Sequence, residues 1–382
     1  MQISQTKNIF FEGLNSLRFF AALAVIITHV ELIKNSFKIQ NCWSSSKIVF
    51  NLGGLGVYFF FVLSGFLITY LLIIEKQKTG TIAVKNFYIR RILRIWPLYF
   101  FVLALGFFVL PNFNQINISY LTSPFNQNFN LNLILFLLML PNLAFSMFPA
   151  VPHIGQLWSI GVEEQFYIAW PLIVKNSKKL LNVLIAIIVF LIALKIIILF
   201  LGKNYSNTNW YPVIKKLTAM SKFESMAIGG IGAYYFSLNH KIIEFLKSPF
   251  LSLAALATIL LIIYLIPDKL QDGQHLIISV LFLAIIINVI SSNIKLLRNN
   301  VFDWLGKISY GIYMYHLMII PIVIVILTNV ISPTDNIIVF NFLLYSLTIF
   351  ITIFVSWLSY QFFESKFIDL KSKFAIIHSG KK

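Results

Sequence analysis

Charged residues are scarce in this sequence, and acidic residues are the scarcest. Only 11% of the 382 residues are charged, whereas soluble domains carry about 25%. Hydrophobic residues make up 59% of the chain, which includes 38 phenylalanines. This composition excludes an ordinary soluble domain and predicts a polytopic protein whose main partner is the lipid bilayer.

Several other features are missing as well. The single cysteine, Cys42, excludes an internal disulfide framework and a cysteine metal cluster. No His-Glu-x-x-His run and no glycine-rich phosphate loop occurs, so we expect no metal. The basic residues do not form a patch with interleaved aromatics, which argues against nucleic acid as a partner. A cleavable signal peptide is not evident, and the first apolar segment is typical of a retained signal anchor.

Apolar windows long enough to span a bilayer occur ten times. An eleventh window, 131–149, is interrupted by Pro141 and Asn142, which suits a half-helix or re-entrant segment better than a full span. The ten windows are 16–33, 52–74, 94–110, 158–174, 180–201, 219–238, 249–266, 274–291, 307–330 and 338–362.

The distribution of positive charge orients these spans. With ten spans and both termini inside, most of the 30 Lys and Arg residues fall on the cytoplasmic side, and an eleventh span would reverse this balance. The sequence therefore predicts an all-α, multi-pass membrane bundle. Residues 1–15 form a cytoplasmic segment, 16–362 the transmembrane domain and 363–382 a basic cytoplasmic tail.

Arg18 and His29 lie eleven residues apart in the first span. On a helix this spacing gives about three turns, which places both side chains on one face and about 16 Å apart along the axis. Ionisable groups inside a bilayer usually face a bundle interior or a wet cavity, which indicates a functional site. The alternative is that Arg18 is an interfacial anchor and His29 a satisfied core histidine.

Arg91 and Arg94 share a helical face at the same predicted membrane border as Arg18. Three guanidinium groups gathered there suit phosphate binding, since the planar fork matches phosphate oxygens. The alternative, which we favour for Arg90, is that they fix topology and contact anionic lipid.

Glu163, within the span at 158–174, shares a face with Tyr167 and lies at a depth comparable to His29. Its carboxylate is positioned either to orient the imidazole of a general base or to contact a hydroxyl substrate. Ser64 is a candidate nucleophile, although Ser64-Gly65 is also typical of close helix packing. His316 is equally consistent with a cavity residue and a core histidine. Candidates for lining a substrate cavity are Ser64, Tyr99, Trp158, Ser159, Tyr167, Tyr313 and His316.

The sequence resembles the membrane-bound acyltransferase 3 family, of the O-antigen acetylase type. The matching patterns, in order, are Arg18 with His29, the FFFVLSGFL run at 59–67, RRILRIWPLY at 90–99, Trp158-Ser159 with 163–167, and SYGIYMYH at 309–316. The resemblance implies a ten-helix bundle, with His29 as catalytic base and Arg18, Arg91 and Arg94 as the acyl-CoA side of the site. It also implies a stand-alone member without a fused hydrolase domain.

These observations lead to the hypothesis of O-acyl transfer across the membrane. Acetyl-CoA would be the donor, and a hydroxyl of a surface or exported saccharide would be the acceptor, with His29 and Glu163 as catalytic residues. The rival hypothesis is a transporter or flippase that uses the same charges as a pathway. The sequence does not predict the acyl chain, the particular saccharide or the oligomeric state.

Overall fold

A computed structural model describes residues 9–41, 46–265, 273–292, 294–295 and 297–377. Cys42 lies outside the described residues. Described in chain order, the α-helices are α1 Leu14–Ser36, α2 Lys47–Thr79, α3 Val84–Ala104, α4 Ser119–Gln127, α5 Phe129–Leu137, α6 Pro141–Met147, α7 Leu157–Asn176, α8 Leu180–Tyr205, α9 Trp210–Met220, α10 Phe223–Ser237, α11 Lys241–Leu246, α12 Pro249–Leu265, α13 Gln274–Ser291, α14 Asn300–Lys307, α15 Ser309–Thr328, α16 Ile337–Ser359 and α17 Ser365–Ser372.

The prediction of an all-helical membrane bundle is confirmed. Within the described ranges, seven helices are long and apolar enough to cross a bilayer. The three other predicted windows correspond to α7, α10 and α12, of 20, 15 and 17 residues. The count of ten spans stays a prediction, because only seven of the described helices have the length and composition of a membrane span.

The segment 131–149 does not form one continuous helix. It is divided between α5 and α6, of nine and seven residues. Met139 lies between them with a φ of 60°, in the left-handed region, and Pro141 starts α6. Neither helix is long enough to span a bilayer, in agreement with the expectation of a broken segment.

The helices divide into a central group and a lipid-facing group. In α15, 78% of the most apolar window is buried, so this helix runs through the middle of the bundle. In α8 the corresponding share is 17%. The exposed side of α8 is apolar, as expected for a surface that contacts lipid tails.

Two glycines allow α2 and α10 to pack backbone against backbone. A Cβ on Gly65 of α2 would collide with the Met226 carbonyl of α10, and a Cβ on Gly229 would collide with the Val62 carbonyl. Small residues at such crossings are the usual means of helix association in lipid, where close packing replaces the hydrophobic driving force. The packing interpretation of the Ser64-Gly65 pair therefore applies to Gly65.

Replacing Gly65 with alanine should destabilise the protein by about 1–3 kcal/mol, because the added methyl group forces the two backbones apart. Gly54→Ala on the same helix is the matched control, since a Cβ there meets no atom within 4 Å. That variant should be at least as stable as the wild type, because alanine favours the helix. Thermal unfolding of the purified proteins in nanodiscs measures both, and equal melting temperatures would contradict the expectation.

The C-terminal segment, predicted as a basic tail, is folded against the bundle as far as the described residues extend. Helix α17 packs on α3, and Arg90 Nη1 donates to the Phe374 carbonyl over 2.8 Å. Arg90 also contacts Glu75 Oε2 at 3.4 Å. Arg90 thus ties the C-terminal segment to the rest of the protein.

Candidate functional site

An inner cavity of about 110 Å³ lies between α1, α2, α3, α7 and α15. Its wall combines aromatic and aliphatic side chains with polar groups from all five helices. The polar lining residues are Arg18, Ser64, Arg91, Arg94, Ser159, Glu163, Tyr167, Ser309, Tyr310 and Tyr313. Charges that are distant in sequence therefore share one small space. Glu163, expected at the depth of His29, lines this space together with Arg18 and Arg94.

A second and larger space, the basic cavity, has a volume of about 320 Å³. It adjoins the inner cavity, and the two share a wall formed by Arg18, Ser64, Arg91, Arg94 and Tyr167. Asn15, Lys307, Tyr360 and Lys371 line the basic cavity but not the inner cavity. No Asp or Glu is among the described residues around it, so five cationic side chains face one space without a carboxylate.

The three predicted arginines differ in how they are held. Arg18 Nη1 donates to Asn15 Oδ1 at 3.3 Å. The Arg91 guanidinium lies over the rings of Phe87 and Tyr167, at 5.6 and 5.7 Å from their centroids. Arg94 makes no hydrogen bond or ion pair to any described residue, which leaves all its donors available for a ligand.

His29 of α1 is held by a second histidine. Its Nδ1 lies 2.8 Å from His316 Nε2 of α15, and the two rings stack with an interplanar angle of 18°. His316 is fully buried, whereas His29 is partly exposed. The candidate general base is therefore anchored on the central helix.

The hydrogen-bond chain assigns the protons of this pair. His316 Nδ1 lies 2.7 Å from the Tyr313 carbonyl oxygen, which only accepts, so this nitrogen carries hydrogen. In the neutral pair His316 Nε2 then accepts, and His29 Nδ1 donates to it. The lone pair of His29 is thereby placed on Nε2, the nitrogen that faces away from the contact and is needed for a base.

Glu163 does not contact His29, contrary to one of the roles considered for it. Its Oε2 accepts from the Tyr167 hydroxyl at 2.6 Å, and its Oε1 accepts from the Ser64 hydroxyl at 3.2 Å. The i, i+4 spacing of Glu163 and Tyr167 on α7 accounts for the first bond. The carboxylate faces the inner cavity instead of the imidazole, and His316 takes the orienting position.

Ser159 and Tyr313 join α7 to α15 at the far end of the inner cavity. Their hydroxyl oxygens are 2.7 Å apart, and the Tyr313 hydroxyl also lies 3.2 Å from the Gln156 carbonyl. Gln156 Nε2 donates to the Met314 carbonyl at 2.7 Å. These bonds fix the part of α15 that carries His316.

Three of the predicted cavity residues have other positions. Tyr99 is fully buried, and its hydroxyl donates to the Phe136 carbonyl at 2.8 Å, so it ties α3 to α5. Trp158 packs edge-on against Phe61. Neither residue lines the inner or the basic cavity, and neither does His316 or its partner His29.

Two charges without a predicted partner are paired with each other. The Lys195 ammonium contacts Glu224 Oε1, which also lies 2.6 Å from His275 Nε2. This cluster ties α8, α10 and α13 together, away from both cavities. Each charge has an opposite charge beside it, so the joining of these three helices explains the cluster.

The sequence interpretation missed Lys307 and Lys371. Lys307 is the first residue of the predicted span 307–330, and Lys371 lies in the predicted tail 363–382. Neither was considered a site residue. Lys307 lies two residues before the SYGIYMYH pattern at 309–316, and this position was a signal for it. Its ammonium group pairs with Asp303 at 3.5 Å. Lys371 has no comparable signal, because only the folding of α17 onto α3 brings it to the cavity.

Comparison with known proteins identifies the family. The model of an acyltransferase domain matches residues 11–361. A Staphylococcus aureus (strain COL) protein named "Putative O-acetyltransferase" is 27% identical over 94% of this chain and 58% of its own length. The O-acetyltransferase OatA of Staphylococcus aureus (strain NCTC 8325) is 24% identical over 92% of this chain and 56% of its own length.

An uncharacterized protein of Haemophilus influenzae is 31% identical over 61% of this chain and 98% of its own length. The chain spans little more than half the length of the two staphylococcal relatives. No solved structure matches. Since the domain match covers nearly all of the helical bundle and every residue that lines the inner cavity, the chain belongs to the acyltransferase 3 family.

Proposed function

We propose that this protein is a membrane O-acetyltransferase that moves an acetyl group from cytoplasmic acetyl-CoA to a hydroxyl of a saccharide on the outer side. One observation carries the proposal: a basic cavity adjoins a small polar cavity that ends against Tyr313, one helical turn before the partner of His29. This order matches a donor with a polyanionic end and a reactive acyl end.

The donor side is supported by charge and size. Lys307 is paired with Asp303, but the other four cations have no ion pair to a described carboxylate. Such cations repel one another unless an anion joins them, and a nucleotide with several phosphates is such an anion. The positive-inside rule assigns this basic end to the cytoplasm, where acyl-CoA is made. The inner cavity, at about 110 Å³, admits a narrow acyl-bearing arm but not a nucleotide.

The acceptor side is supported by the segment before α7, at the opposite end of the bundle. His153 is 3% exposed, and neither of its ring nitrogens has a partner among the described residues. Burial lowers the pKa of His153 to about 4, so the ring is neutral near pH 7. Gln156 Oε1 is also buried without a described partner. Neutral groups that both donate and accept suit a hydroxyl-rich ligand.

In the proposed reaction, His29 Nε2 removes the hydroxyl proton while the acceptor oxygen attacks the thioester carbonyl. Collapse of the tetrahedral intermediate breaks the carbon–sulfur bond, and the imidazolium returns the proton to the departing thiolate. His316 holds His29 in the required tautomer throughout. Glu163 and Tyr167 lie beside the inner cavity and are proposed to position the donor arm.

The direct test supplies radiolabelled acetyl-CoA to the purified protein in lipid nanodiscs, with N-acetylglucosamine tetramer and maltotetraose as acceptor probes. We expect label to appear in the saccharide as an alkali-labile ester. A transporter would bind or move saccharide without consuming the thioester, so an intact thioester under all conditions would refute the proposal. Mass spectrometry of surface glycans from a deletion strain identifies the natural acceptor.

A further inference from the structure

The basic cavity has an order along its length. Arg18, Arg91 and Arg94 form the wall shared with the inner cavity, and Lys371 lies beyond them. Lys371 also lines a third space with Arg90 and Arg91, on the side away from the inner cavity. Arg91 lines all three spaces, whereas Arg18 and Arg94 border the inner cavity and Lys371 borders the third space. Lys371 is therefore the cation on the side of the basic cavity away from the proposed acyl end.

Lys371 stands in an unusually positive environment. The strongest electrostatic influences on its ammonium group come from Arg94, Arg91, Arg90 and Arg18. It makes no hydrogen bond or ion pair to a described residue, whereas Lys307 in the same cavity is paired with Asp303. Glu75 also lines the third space, but its carboxylate is paired with Arg90. An ammonium group held among like charges is stabilised when an anion binds between them.

We infer that Lys371 binds the 3′-phosphate on the ribose of the donor coenzyme and that α17 is part of the donor site. The inference rests on the proposed function. In coenzyme A the pyrophosphate adjoins the pantetheine arm, and the ribose phosphate is farther from the thiol. An arm in the inner cavity places the pyrophosphate at the arginine wall, which leaves the more distant phosphate for Lys371.

The position of α17 supports this role. The helix packs on α3, which carries the three arginines at 90, 91 and 94, and the Arg90 contact to Phe374 holds the segment that follows it. The C-terminal segment thus closes one side of the basic cavity. A variant that removes only the Lys371 charge should leave this packing intact.

The test compares binding of coenzyme A and 3′-dephospho-coenzyme A to the protein in phosphatidylcholine nanodiscs. The wild type should bind coenzyme A about 10- to 30-fold more tightly than the dephospho form, as expected for a charge-assisted phosphate contact. Lys371→Met should lose this preference and bind both as weakly as the wild type binds the dephospho form. Lys366→Met, on the same helix but not lining either cavity, should keep the preference.

Three other results would overturn the inference. Lys371→Met could retain the preference for coenzyme A. It could also bind both coenzymes more weakly by the same factor, which would indicate a general electrostatic effect. A lipid headgroup offers similar phosphate chemistry, so the assay is repeated with phosphatidic acid in the nanodiscs. Competition by this lipid that disappears in Lys371→Met would assign the site to lipid. Failure of the wild type to bind either coenzyme would instead refute the donor in the proposed function.

Discussion

Replacing His29 with alanine should reduce acetyl transfer by about 10²- to 10⁴-fold, the usual contribution of a general base. The protein should remain folded and should bind coenzyme A as the wild type does, because His29 lines neither cavity wall that holds the donor. Transfer of radiolabelled acetyl groups and equilibrium binding of coenzyme A, measured on the same preparation, separate the two effects.

His240→Ala is a suitable control, since His240 caps the short helix α11 through its Nδ1 and contacts no cavity.

The His316 variants test the assigned tautomer. His316→Gln retains an acceptor for His29 Nδ1, whereas His316→Phe does not, so the glutamine variant should be the more active by about tenfold or more. Full activity of His29→Ala would refute the mechanism. Equal activity of the two His316 variants would refute a role for the hydrogen bond between His29 and His316.

Replacing Arg94 with alanine should weaken coenzyme A binding by about 10- to 100-fold, the equivalent of one or two charge-assisted hydrogen bonds. Arg94 faces both cavities and has no described protein partner. Its removal therefore deletes ligand contacts without leaving a protein acceptor unpaired, so stability should change little. Titration with tritiated coenzyme A in nanodiscs measures the affinity.

Arg90 provides the matched comparison on the same helix. It lines neither the inner nor the basic cavity, and its partners are Glu75 and Phe374. Arg90→Ala should lower the melting temperature, because the buried Glu75 loses its cation, while the folded fraction should lose less affinity for coenzyme A than Arg94→Ala does. Equal loss of affinity in both variants would show that the arginines act only through net charge.

Much of the architecture follows from local sequence. Long apolar runs predict helices, and the ten windows all correspond to helices of the bundle, because a helix satisfies its own backbone hydrogen bonds in lipid and needs about 20 apolar residues to span it. Helical periodicity predicted the common face of Arg91 and Arg94, and the predicted membrane border placed Arg18 at the same level. The Glu163 and Tyr167 contact follows from their spacing of four residues.

Contacts between helices that are distant in sequence were harder to predict. Glu163 and His316 were both possible neighbours of His29 by depth, and helix rotation decides between them. That rotation depends on packing of the kind seen at Gly65, where two backbones touch. The role of Lys371 depends on how α17 docks onto α3, a tertiary arrangement that no periodicity predicts.

The shared wall between the two cavities has an electrical consequence. In the proposed reaction the acetyl group moves outward from sulfur to oxygen and counts as one positive charge. One proton moves inward from oxygen to sulfur. The phosphates stay at Arg18, Arg91 and Arg94, so no net charge crosses the bilayer in a turnover. A membrane potential, worth about 2.3 kcal/mol per elementary charge at 100 mV, therefore neither drives the exchange nor opposes it, and its direction is set by the thioester alone.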